Sequence, residues 1–586
     1  MGEPVTIPTA PTRPVDEGEG GVPAVATGRS WRRRRRPPTL RTFLVLSGVY
    51  LAAVVALGVW MASRNGGTFT YPLDDPYIHL ALADNLVHHG SWGVTPGVFE
   101  SASSSPAWTL LVSGGMVALP VRDVLVPLLL SVGSGLLLVW QIAALDPFCR
   151  LPWAWRWIGL AAAAVPLGLL HLTFVGMEHL LHAALVLAIV TRIDALVEPG
   201  SDAGARHRRR VALWLLALAA AVRMETLFLA AGLALALAAV PPRTGTHGIV
   251  TRVRRGIPVV VAAGIPVAAM AAVNLVFGHY PIANSVMVKT SLADPGKAAF
   301  PQLLLEPQTY GTALSELVKA PEVAVLLIGV GLLAIACRDR RWPAWQVAAV
   351  AVLVAAALNV VLGNLGWYGR YNAYLVAACY GVLFPLAADP NSVRAVAAVR
   401  RLPGRGLTVG VLALVLLAAP VQLLRASWLP TAGSEIYRQQ GQMARFLADS
   451  YAGEAVAVSD LGFVAWRHDG PEVDLWGLAS IEVVRALRGN RYDVAFMDAL
   501  VREHGVRAIV IYDSWFEDRR DGVPSSWVPV EEWCLAGGTI RIVGGRCVTW
   551  YGPTADDAAE LRRRLDDGRS LPGGTSYRRL DGRPEA

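Results

Sequence analysis

Long apolar stretches, separated by short polar loops, fill the chain between residues 42 and 425. A helix needs about 20 predominantly apolar residues to cross a bilayer. When the basic loops are all placed on one side of the membrane, the stretches predict eleven spans, the first at residues 43–62 and the last at residues 407–425. We therefore expect a polytopic α-helical membrane protein.

The basic residues that set this orientation are grouped in short loops, namely Arg32–Arg36, Arg206–Arg210, Arg252–Arg255, Arg338–Arg341 and Arg394–Arg405. Positively charged loops stay in the cytoplasm. The pattern predicts a multi-pass protein of the inner (plasma) membrane with a cytoplasmic N-terminus. Residues 1–41 show no cleavable signal peptide and predict a disordered basic cytoplasmic tail.

Two interruptions of the apolar pattern change the predicted path of the chain through the membrane. The stretch 106–120 is too short to span and predicts a helix at the outer face, within an outer loop at residues 63–122. Residues 211–240 are broken by Arg223-Met224-Glu225, which predicts two spans with this triplet at their outer end. By contrast, residues 157–175 predict one continuous span.

After residue 425 the pattern becomes that of a soluble α/β domain, predicted at 426–555 outside the cytoplasm. Apolar β-branched runs at 455–458 and 507–512 predict buried strands, and helical patterns cover 435–449 and 480–505. Residues 556–586 predict a polar tail, with the last 20 or so residues frayed.

Two cysteines in this domain, Cys534 and Cys547, flank residues 539–545, which predict a β-hairpin. A disulfide between them suits an oxidising compartment, and two unrelated thiols are the alternative.

Composition agrees with a membrane protein. The 586 residues are 54% hydrophobic and 17% charged, and the mean hydropathy is +0.43. The net charge of +8 does not indicate nucleic-acid binding, because the basic residues lie in the loops between spans. The expected partner of these loops is the lipid bilayer.

An acidic pair, Asp74-Asp75, follows the first span on its outer side and is the strongest candidate for chemistry. Because Asp75 precedes Pro76 and a helical pattern, it is predicted to cap that helix, which leaves Asp74 as the better candidate for a catalytic base. Asp75 and His79 lie at i, i+4 and would suit a metal, although an interfacial histidine is the simpler explanation.

Other polar residues fall at the predicted outer ends of the spans: Glu178, His179, Arg223, Glu225, Asn284, Lys289, Arg370 and Tyr371. Carboxylates beside Arg and Lys at an outer face suit a reaction on an anionic lipid, with the cations holding phosphate. Each residue also has a structural explanation: the end of a span for Glu178 and His179, an ion pair for Arg223 and Glu225, or contact with headgroups for Lys289, Arg370 and Tyr371. Their occurrence on one side is the stronger signal.

Several of these motifs resemble the GT-C superfamily of membrane glycosyltransferases. Residues 73–111 are similar to the first outer loop of the actinobacterial terminal arabinofuranosyltransferases, and residues 176–178 match their Gly-Met-Glu motif. Residues 222–225 look like their Arg-Pro-Glu turn, with Met224 in place of proline. The resemblance runs in order from residue 40 to residue 550.

The resemblance implies transfer of a sugar, arabinofuranose or mannose, from a polyprenyl-phosphate donor to a hydroxyl of an extracytoplasmic glycan or lipid-linked acceptor, with inversion. Asp74 would be the general base, with Asp75 beside it in the site, and Arg223, Lys289 and Arg370 would bind the donor phosphate. The resemblance leaves open a divalent cation, Mg²⁺ or Mn²⁺, at the acidic site.

A transporter or flippase for a lipid-linked saccharide is the main alternative, and a structural or assembly protein is another. Transporters place charged residues near the membrane midplane and often consist of two repeated halves. Here the charges lie at outer ends of spans and no repeat is visible, so the sequence favours the enzyme.

Overall fold

The computed structural model describes residues 40–197, 202–240, 248–289, 315–336, 343–389, 405–517, 522–537 and 540–580. The predicted N-terminal tail up to residue 39, the basic clusters Arg32–Arg36 and Arg338–Arg341, and all but the last residue of the cluster 394–405 lie outside the described residues, as do residues 581–586.

The first part of the chain is helical throughout. Its helices are Leu40–Ser63, Asp75–His89, Pro106–Ala118, Val126–Leu145, Trp153–Ala162, Leu169–Val175, His179–Val190, Asp194–Val197, Ala203–Val222, Thr226–Ala239, Ile249–Arg254, Ile257–Val276, Asn284–Lys289, Pro321–Ala336, Pro343–Leu362, Ala373–Ala388, Gly406–Ala418 and Pro420–Arg438, with a 3-10 turn at Asp123–Leu125.

The chain is a polytopic helical membrane protein with a C-terminal domain that contains a β-sheet. Within the described residues, five helical stretches are long and apolar enough to cross a bilayer: Leu40–Ser63, Asp123–Leu145, Ile249–Val276, Ala344–Leu362 and part of Gly406–Ser450. Shorter apolar helices lie between them. The count of eleven spans therefore stays a prediction.

Burial separates central from peripheral helices. Helices His179–Val190 and Ala373–Ala388 pack against each other, and nearly every residue of both is buried. Helices Leu40–Ser63 and Ile257–Val276 instead expose many large apolar side chains, including Val276 at 81% exposure. A helix that is apolar all round belongs in a bundle centre or against lipid, so the latter two helices form lipid-facing walls.

The predicted span at 157–175 is not continuous. Helix Trp153–Ala162 ends before Pro166, and a second helix, Leu169–Val175, begins after Gly168. Proline removes a helical hydrogen bond and clashes with the preceding turn, and Gly168 adopts a φ of 67°, which breaks the helical path. These two residues explain the division.

Other predicted boundaries have mixed outcomes. Helices Ala203–Val222 and Thr226–Ala239 are separated at Arg223-Met224-Glu225, as predicted. The predicted domain boundary at 425/426 falls inside helix Pro420–Arg438 and stays a prediction. Its internal Pro430 does not end the helix, so the last apolar helix continues directly into the C-terminal domain, which is named the outer domain after its predicted position.

The outer domain contains one six-stranded sheet. Its strands are β1 (Val456–Val458), β2 (Glu472–Asp474), β3 (Ala508–Ile511), β4 (Val528–Leu535), β5 (Cys547–Gly552) and β6 (Thr575–Arg579), in the order β2-β1-β3-β5-β4-β6. β2, β1 and β3 are parallel, and the remaining neighbours are antiparallel. Helices Gln440–Ser450, Gly462–Arg467, Ile481–Arg488, Val494–Glu503, Ser514–Glu517 and Ala555–Gly568 accompany the sheet.

The predicted polar tail at 556–586 is wrong for the part that the structure describes. Helix Ala555–Gly568 buries Leu561 and Leu565, and β6 pairs with β4 as an edge strand. The side chains of β6 are mostly exposed, as is usual at a sheet edge. A charged edge strand and a helix with a narrow apolar stripe both look like a solvated tail in the sequence.

Cys534 and Cys547 face each other on the paired strands β4 and β5 and form a disulfide. The intervening residues 540–546 do not form a hairpin of their own. They are instead held against helix Pro420–Arg438, where the backbone amides of Arg541 and Ile542 donate to the carboxylate of Glu435, each at 3.0 Å.

Candidate functional site

The acidic pair lies where the outer loop turns into helix Asp75–His89. Pro76, in the first turn of this helix, has a φ already suited to it, and the helix ends at Gly90, whose φ is 64°. Asp75 is the first helical residue, so the cap position belongs to Asp74, which makes no side-chain hydrogen bond to this helix. The prediction that Asp75 caps the helix is therefore wrong.

Asp75 is held between two cations from distant parts of the chain. The Nζ of Lys289 donates to Oδ1 of Asp75 at 2.7 Å, and Nη1 of Arg370 donates to Oδ2 at 3.0 Å. Lys289 ends helix Asn284–Lys289, and Arg370 lies in the loop before helix Ala373–Ala388. The three groups form a charge cluster whose Asp75 side chain is 20% exposed.

The two cations decide the charge of Asp75. Burial acts to raise the pKa of Asp75, but the positive charges of Arg370 and Lys289 outweigh burial and hold that pKa below its ordinary value. In return, Asp75 overcomes the burial of Lys289 and raises the pKa of that ammonium. All three groups are therefore charged around neutral pH.

Asp74 has an entirely different environment. Its carboxylate accepts hydrogen bonds from the backbone amides of Gly462 and Phe463, the latter at 2.8 Å, at the start of helix Gly462–Arg467 in the outer domain. Burial, followed by the nearby charge of Asp460, raises the pKa of Asp74 well above its ordinary value. Asp74 therefore joins the outer domain to the outer loop.

Gly462 makes this junction possible. A Cβ at this position would lie 2.6 Å from Oδ2 of Asp74, closer than real Cβ contacts come. Asp460 is held on the other side by Gln440, whose Nε2 donates to it at 2.7 Å. Stacking of Phe463 on Tyr77, with ring centroids 4.0 Å apart, adds an aromatic contact between the same two segments.

Arg223 is engaged by two carboxylates rather than left open to a ligand. Its guanidinium contacts Glu178 and binds both oxygens of Glu225, with Nε at 3.1 and 3.0 Å from them. Glu178 is fully buried. The ion pair between Arg223 and Glu225, which the sequence offered as the structural explanation for these two residues, is present. Glu178 takes part in it as well.

Tyr371 connects the two charge clusters. Its ring lies under the guanidinium of Arg223 at 5.3 Å and under that of Arg370 at 5.0 Å, and its hydroxyl accepts from Nη2 of Arg370 at 3.1 Å. The sulfur of Met177 lies 3.3 Å from Nη1 of Arg370. The Gly-Met-Glu motif thus contributes two side chains to neighbouring parts of one site.

The histidines face Glu178. His79 is hydrogen-bonded through Nδ1 to Thr109 at 2.8 Å, and its Nε2 lies 3.9 Å from Glu178. Burial lowers the pKa of His79. Nε2 of His179 is 4.0 Å from Glu178 and has no hydrogen-bond partner among the residues that the structure describes. His79 therefore belongs with Glu178, and the idea that it shares a metal with Asp75 gains no geometric support.

Asn284 lies away from the charged groups. Its side-chain amide donates to the carbonyl of Ala479 in the outer domain at 2.8 Å, and its backbone amide donates to Ser101 at 2.9 Å. It therefore fixes helix Asn284–Lys289, and with it Lys289, against the outer loop and the outer domain.

The groups that surround the acidic pair do not fit a divalent cation. Both oxygens of Asp75 are taken by positive groups, and both oxygens of Asp74 accept backbone amides. Among the described residues, the one group of three possible metal ligands within 4.8 Å is Glu532, Cys534 and Cys547. The two cysteines there are joined in the disulfide, so no thiolate is present to bind a metal.

Asp460 and Thr109 were not identified from the sequence as neighbours of the site. Asp460 lies in the motif Ser459-Asp460-Leu461-Gly462, where an acidic residue two positions before a glycine was visible. Nothing in the sequence indicated that Gly462 would meet Asp74, because the two residues are 388 positions apart.

Comparisons with known proteins concern different parts of the chain. Residues 434–551 match a family described as a domain of unknown function, DUF8728. No curated protein matches the chain.

Three solved structures are similar over most of this chain. The oligosaccharyltransferase of Archaeoglobus fulgidus, in complex with Zn and sulfate, shows 12% identity over 91% of this chain and 74% of that one, with a TM-score of 0.47. ArnT from Cupriavidus metallidurans, bound to undecaprenyl phosphate, shows 14% identity over 87% and 98%, with a TM-score of 0.47. The mycobacterial arabinofuranosyltransferase AftD shows 16% identity over 88% and 42%, with a TM-score of 0.38.

In its sequence motifs the chain resembles the GT-C glycosyltransferases. Identities this low carry no information on the substrate, which has to be argued from the site itself.

Proposed function

We propose that this protein is a membrane glycosyltransferase that moves a sugar from a polyprenyl-phosphate donor to a hydroxyl group outside the cytoplasm. The observation that carries the proposal is the cluster of Asp75, Lys289 and Arg370, in which one carboxylate satisfies two cations beside the outer loop. An anion-binding pair that already surrounds a candidate base is the minimum that such a transfer requires.

Lys289 and Arg370 are suited to a phosphate. Both donate to oxygen atoms of Asp75 in a geometry that two oxygens of a phosphate can also take, with the planar fork of Arg370 available for a bidentate contact. Asp75 therefore acts as a stand-in for the donor phosphate before the donor binds. When the phosphate arrives it takes over these contacts and frees the carboxylate.

The freed carboxylate of Asp75 is the proposed general base, in place of Asp74. The oxygen of the acceptor hydroxyl attacks the anomeric carbon of the donor as the bond from this carbon to the phosphate oxygen breaks. The hydroxyl proton passes to Asp75, and the electron pair of the broken bond leaves with the polyprenyl phosphate, whose added charge Lys289 and Arg370 neutralise. A single displacement of this kind inverts the anomeric configuration.

Arg223 has a supporting role in this scheme. Its charge is already balanced by Glu178 and Glu225. A buried cation that is paired in this way is better suited to holding its neighbours in place than to binding a phosphate. By stacking against Tyr371 it fixes the ring that in turn contacts Arg370. This departs from the prediction that Arg223 binds the donor phosphate.

The finer identity follows the sequence resemblance. We propose arabinofuranose or mannose as the sugar, a cell-envelope glycan or lipid-linked saccharide as the acceptor, and the plasma membrane as the location, with the outer domain on the extracytoplasmic side. The chemistry at Asp75 is proposed to proceed without a divalent cation, because Lys289 and Arg370 make its surroundings favourable for anions rather than for cations.

Reconstitution tests the proposal directly. Purified protein in proteoliposomes should transfer label from one of a panel of polyprenyl-phosphate sugars to an added acceptor, and EDTA should not abolish the reaction. Asp84, a half-buried residue on the same helix as Asp75 that pairs with His88 rather than with the cluster, supplies a matched control, since Asp84→Asn should leave transfer intact. Uptake of lipid-linked sugar without a glycosidic product would contradict the proposal and favour a transporter.

A further inference from the structure

The loop that presents Arg370 has an unusual backbone. Gly366, Trp367, Tyr368 and Gly369 all have positive φ angles, of 84°, 37°, 62° and 75°. The left-handed region is readily accessible to glycine, but it costs other residues about 1 kcal/mol or more each. A loop that contains two such non-glycine residues keeps its shape only if its surroundings hold it there.

A buried carboxylate lies at the base of this loop. Glu322, near the start of helix Pro321–Ala336, is fully buried. Its Oε1 accepts three hydrogen bonds, from Asn372 at 2.6 Å, from Gln422 at 3.0 Å and from Arg425 at 2.7 Å. One oxygen atom therefore joins the loop before helix Ala373–Ala388 to helix Pro420–Arg438.

Two of these partners reach into the loop itself. The side-chain oxygen of Asn372 accepts from the amide of Gly366 at 2.9 Å and so closes the loop on itself. The backbone carbonyl of Arg425 accepts from the hydroxyl of Tyr368 at 2.9 Å. A Cβ at Gly369 would lie 2.6 Å from Nη1 of Arg425, so the guanidinium packs directly under the backbone that precedes Arg370.

We propose that Glu322 and Arg425 are positioning residues for Arg370. They do not contact Asp75. They hold the left-handed turn at residues 366–369, and this turn directs the guanidinium of Arg370 at the oxygen atoms of Asp75 or of the donor phosphate. The proposal rests on the proposed function for the identity of the ligand, while the control of loop shape can be tested without any substrate.

The experiment compares Glu322→Gln with a double variant, Glu322→Gln combined with Arg425→Met. The single variant retains the shape of the side chain but leaves a buried cation without its counter-charge, a change that can prevent folding. The double variant removes both charges and keeps the test open if the single variant does not fold. Asp146→Asn, which removes the partner of Arg156 in an ion pair elsewhere in the bundle, is the matched control.

Two measurements are needed. Hydrogen–deuterium exchange should rise in peptides that cover residues 363–372 in the variants, and should stay at the wild-type level there in the control. In transfer assays the KM for the donor should rise about 10- to 100-fold while the KM for the acceptor stays within about twofold, as expected when one charged hydrogen bond is misplaced.

The outcomes separate the two proposals. Unchanged exchange at residues 363–372 overturns the positioning role, and so does raised exchange with an unchanged KM for the donor. A uniform loss of folded protein with normal kinetics in the remainder shows a merely structural role and also overturns it. If the wild-type protein transfers no sugar from any donor, the proposed function fails, while the exchange data still decide whether Glu322 and Arg425 hold the loop.

Discussion

Asp74 and Asp75 are neighbours in the chain and opposites in the fold. Asp75 faces two cations that come from other membrane-proximal segments, and its pKa is held below the ordinary value by Arg370 and Lys289 against the effect of burial. Asp74 faces two backbone amides and a second carboxyl group, Asp460, in the outer domain, and burial raises its pKa. One residue is kept ionised and the other is pushed toward its neutral form.

The difference shows that position next to a helix start does not assign a role to either carboxylate. A helix cap depends on residues within one turn of the helix start. The partners that decide the pKa values of Asp74 and Asp75 instead lie more than 200 positions away in the sequence. Asp75 is the carboxylate that faces the two cations, and Asp74 is the one in the domain junction.

The largest effect is expected for Asp75→Asn. If Asp75 is the general base, the variant should lose about 10²- to 10⁴-fold in kcat, the usual contribution of a positioned base. Donor binding should be retained, because the neutral asparagine side chain does not compete with phosphate for the charges of Lys289 and Arg370. The measurement is single-turnover transfer of labelled sugar, with Asp84→Asn as the control. Near-normal turnover would remove Asp75 from the mechanism.

A smaller effect is expected for Lys289→Gln. Loss of one charge-assisted hydrogen bond to phosphate should weaken donor affinity about 10- to 100-fold, since such bonds contribute about 1.5–3 kcal/mol. Isothermal titration with polyprenyl phosphate should show the change. Arg122→Gln, which alters an exposed cation of the outer loop, should leave affinity unchanged. Equal affinity in the Lys289 variant would argue against phosphate binding in this cluster.

The pH dependence of transfer sharpens the same comparison. In the free protein Lys289 and Arg370 lower the pKa of Asp75, so Asp75 stays ionised, and its contribution to stability is retained, until the pH falls through that lowered value. A bound phosphate neutralises the two cations, and the pKa of Asp75 should then rise. The acid limb of kcat should therefore lie at least about one pH unit above that of kcat/KM. Coincident acid limbs would contradict the exchange of partners.

The smallest effect on transfer is expected for Asp74→Asn, within about tenfold, because Asp74 does not face the cations. Its main consequence should be a weaker junction, with a loss of about 1–3 kcal/mol for the impaired hydrogen bonds to Gly462 and Phe463. Thermal unfolding in detergent measures this loss. Gly462→Ala, which crowds the same contact, should have a similar effect. Complete inactivation of a folded Asp74 variant would restore Asp74 as the base.

The same variant has a signature in the pH dependence of stability. The pKa of Asp74 is raised in the folded protein, so the wild type should lose stability as the pH rises from the ordinary aspartate range through the folded-state value. Asparagine cannot ionise, so the Asp74→Asn variant should show a flatter profile of unfolding temperature against pH.

Much of the site could be predicted from sequence because charged residues stand out in apolar surroundings. Glu178, Arg223 and Arg370 were found in this way, and the structure brings them into one region through Tyr371. The division of helices at residues 223–225 was predictable for the same reason, since charged residues in mid-span are costly.

What could not be predicted depends on distant partners and on backbone geometry. Glu322 and Arg425 lie at the ends of apolar stretches, where a charge looks like an ordinary boundary, and only the fold shows that they face each other. The contact of Gly462 with Asp74 could not be predicted either, because the sequence does not show which group packs against a glycine.

The junction at Asp74 also bears on how this protein can be divided in the laboratory. A fragment that begins near residue 434 and stops at residue 551 would lack both the carboxylate that receives the amides of Gly462 and Phe463 and the strand β6. β4 would then present an unpaired edge, which promotes intermolecular pairing and aggregation. We therefore expect this fragment not to fold as an autonomous module, and a version that does should extend through Arg579 and replace the contact that Asp74 provides.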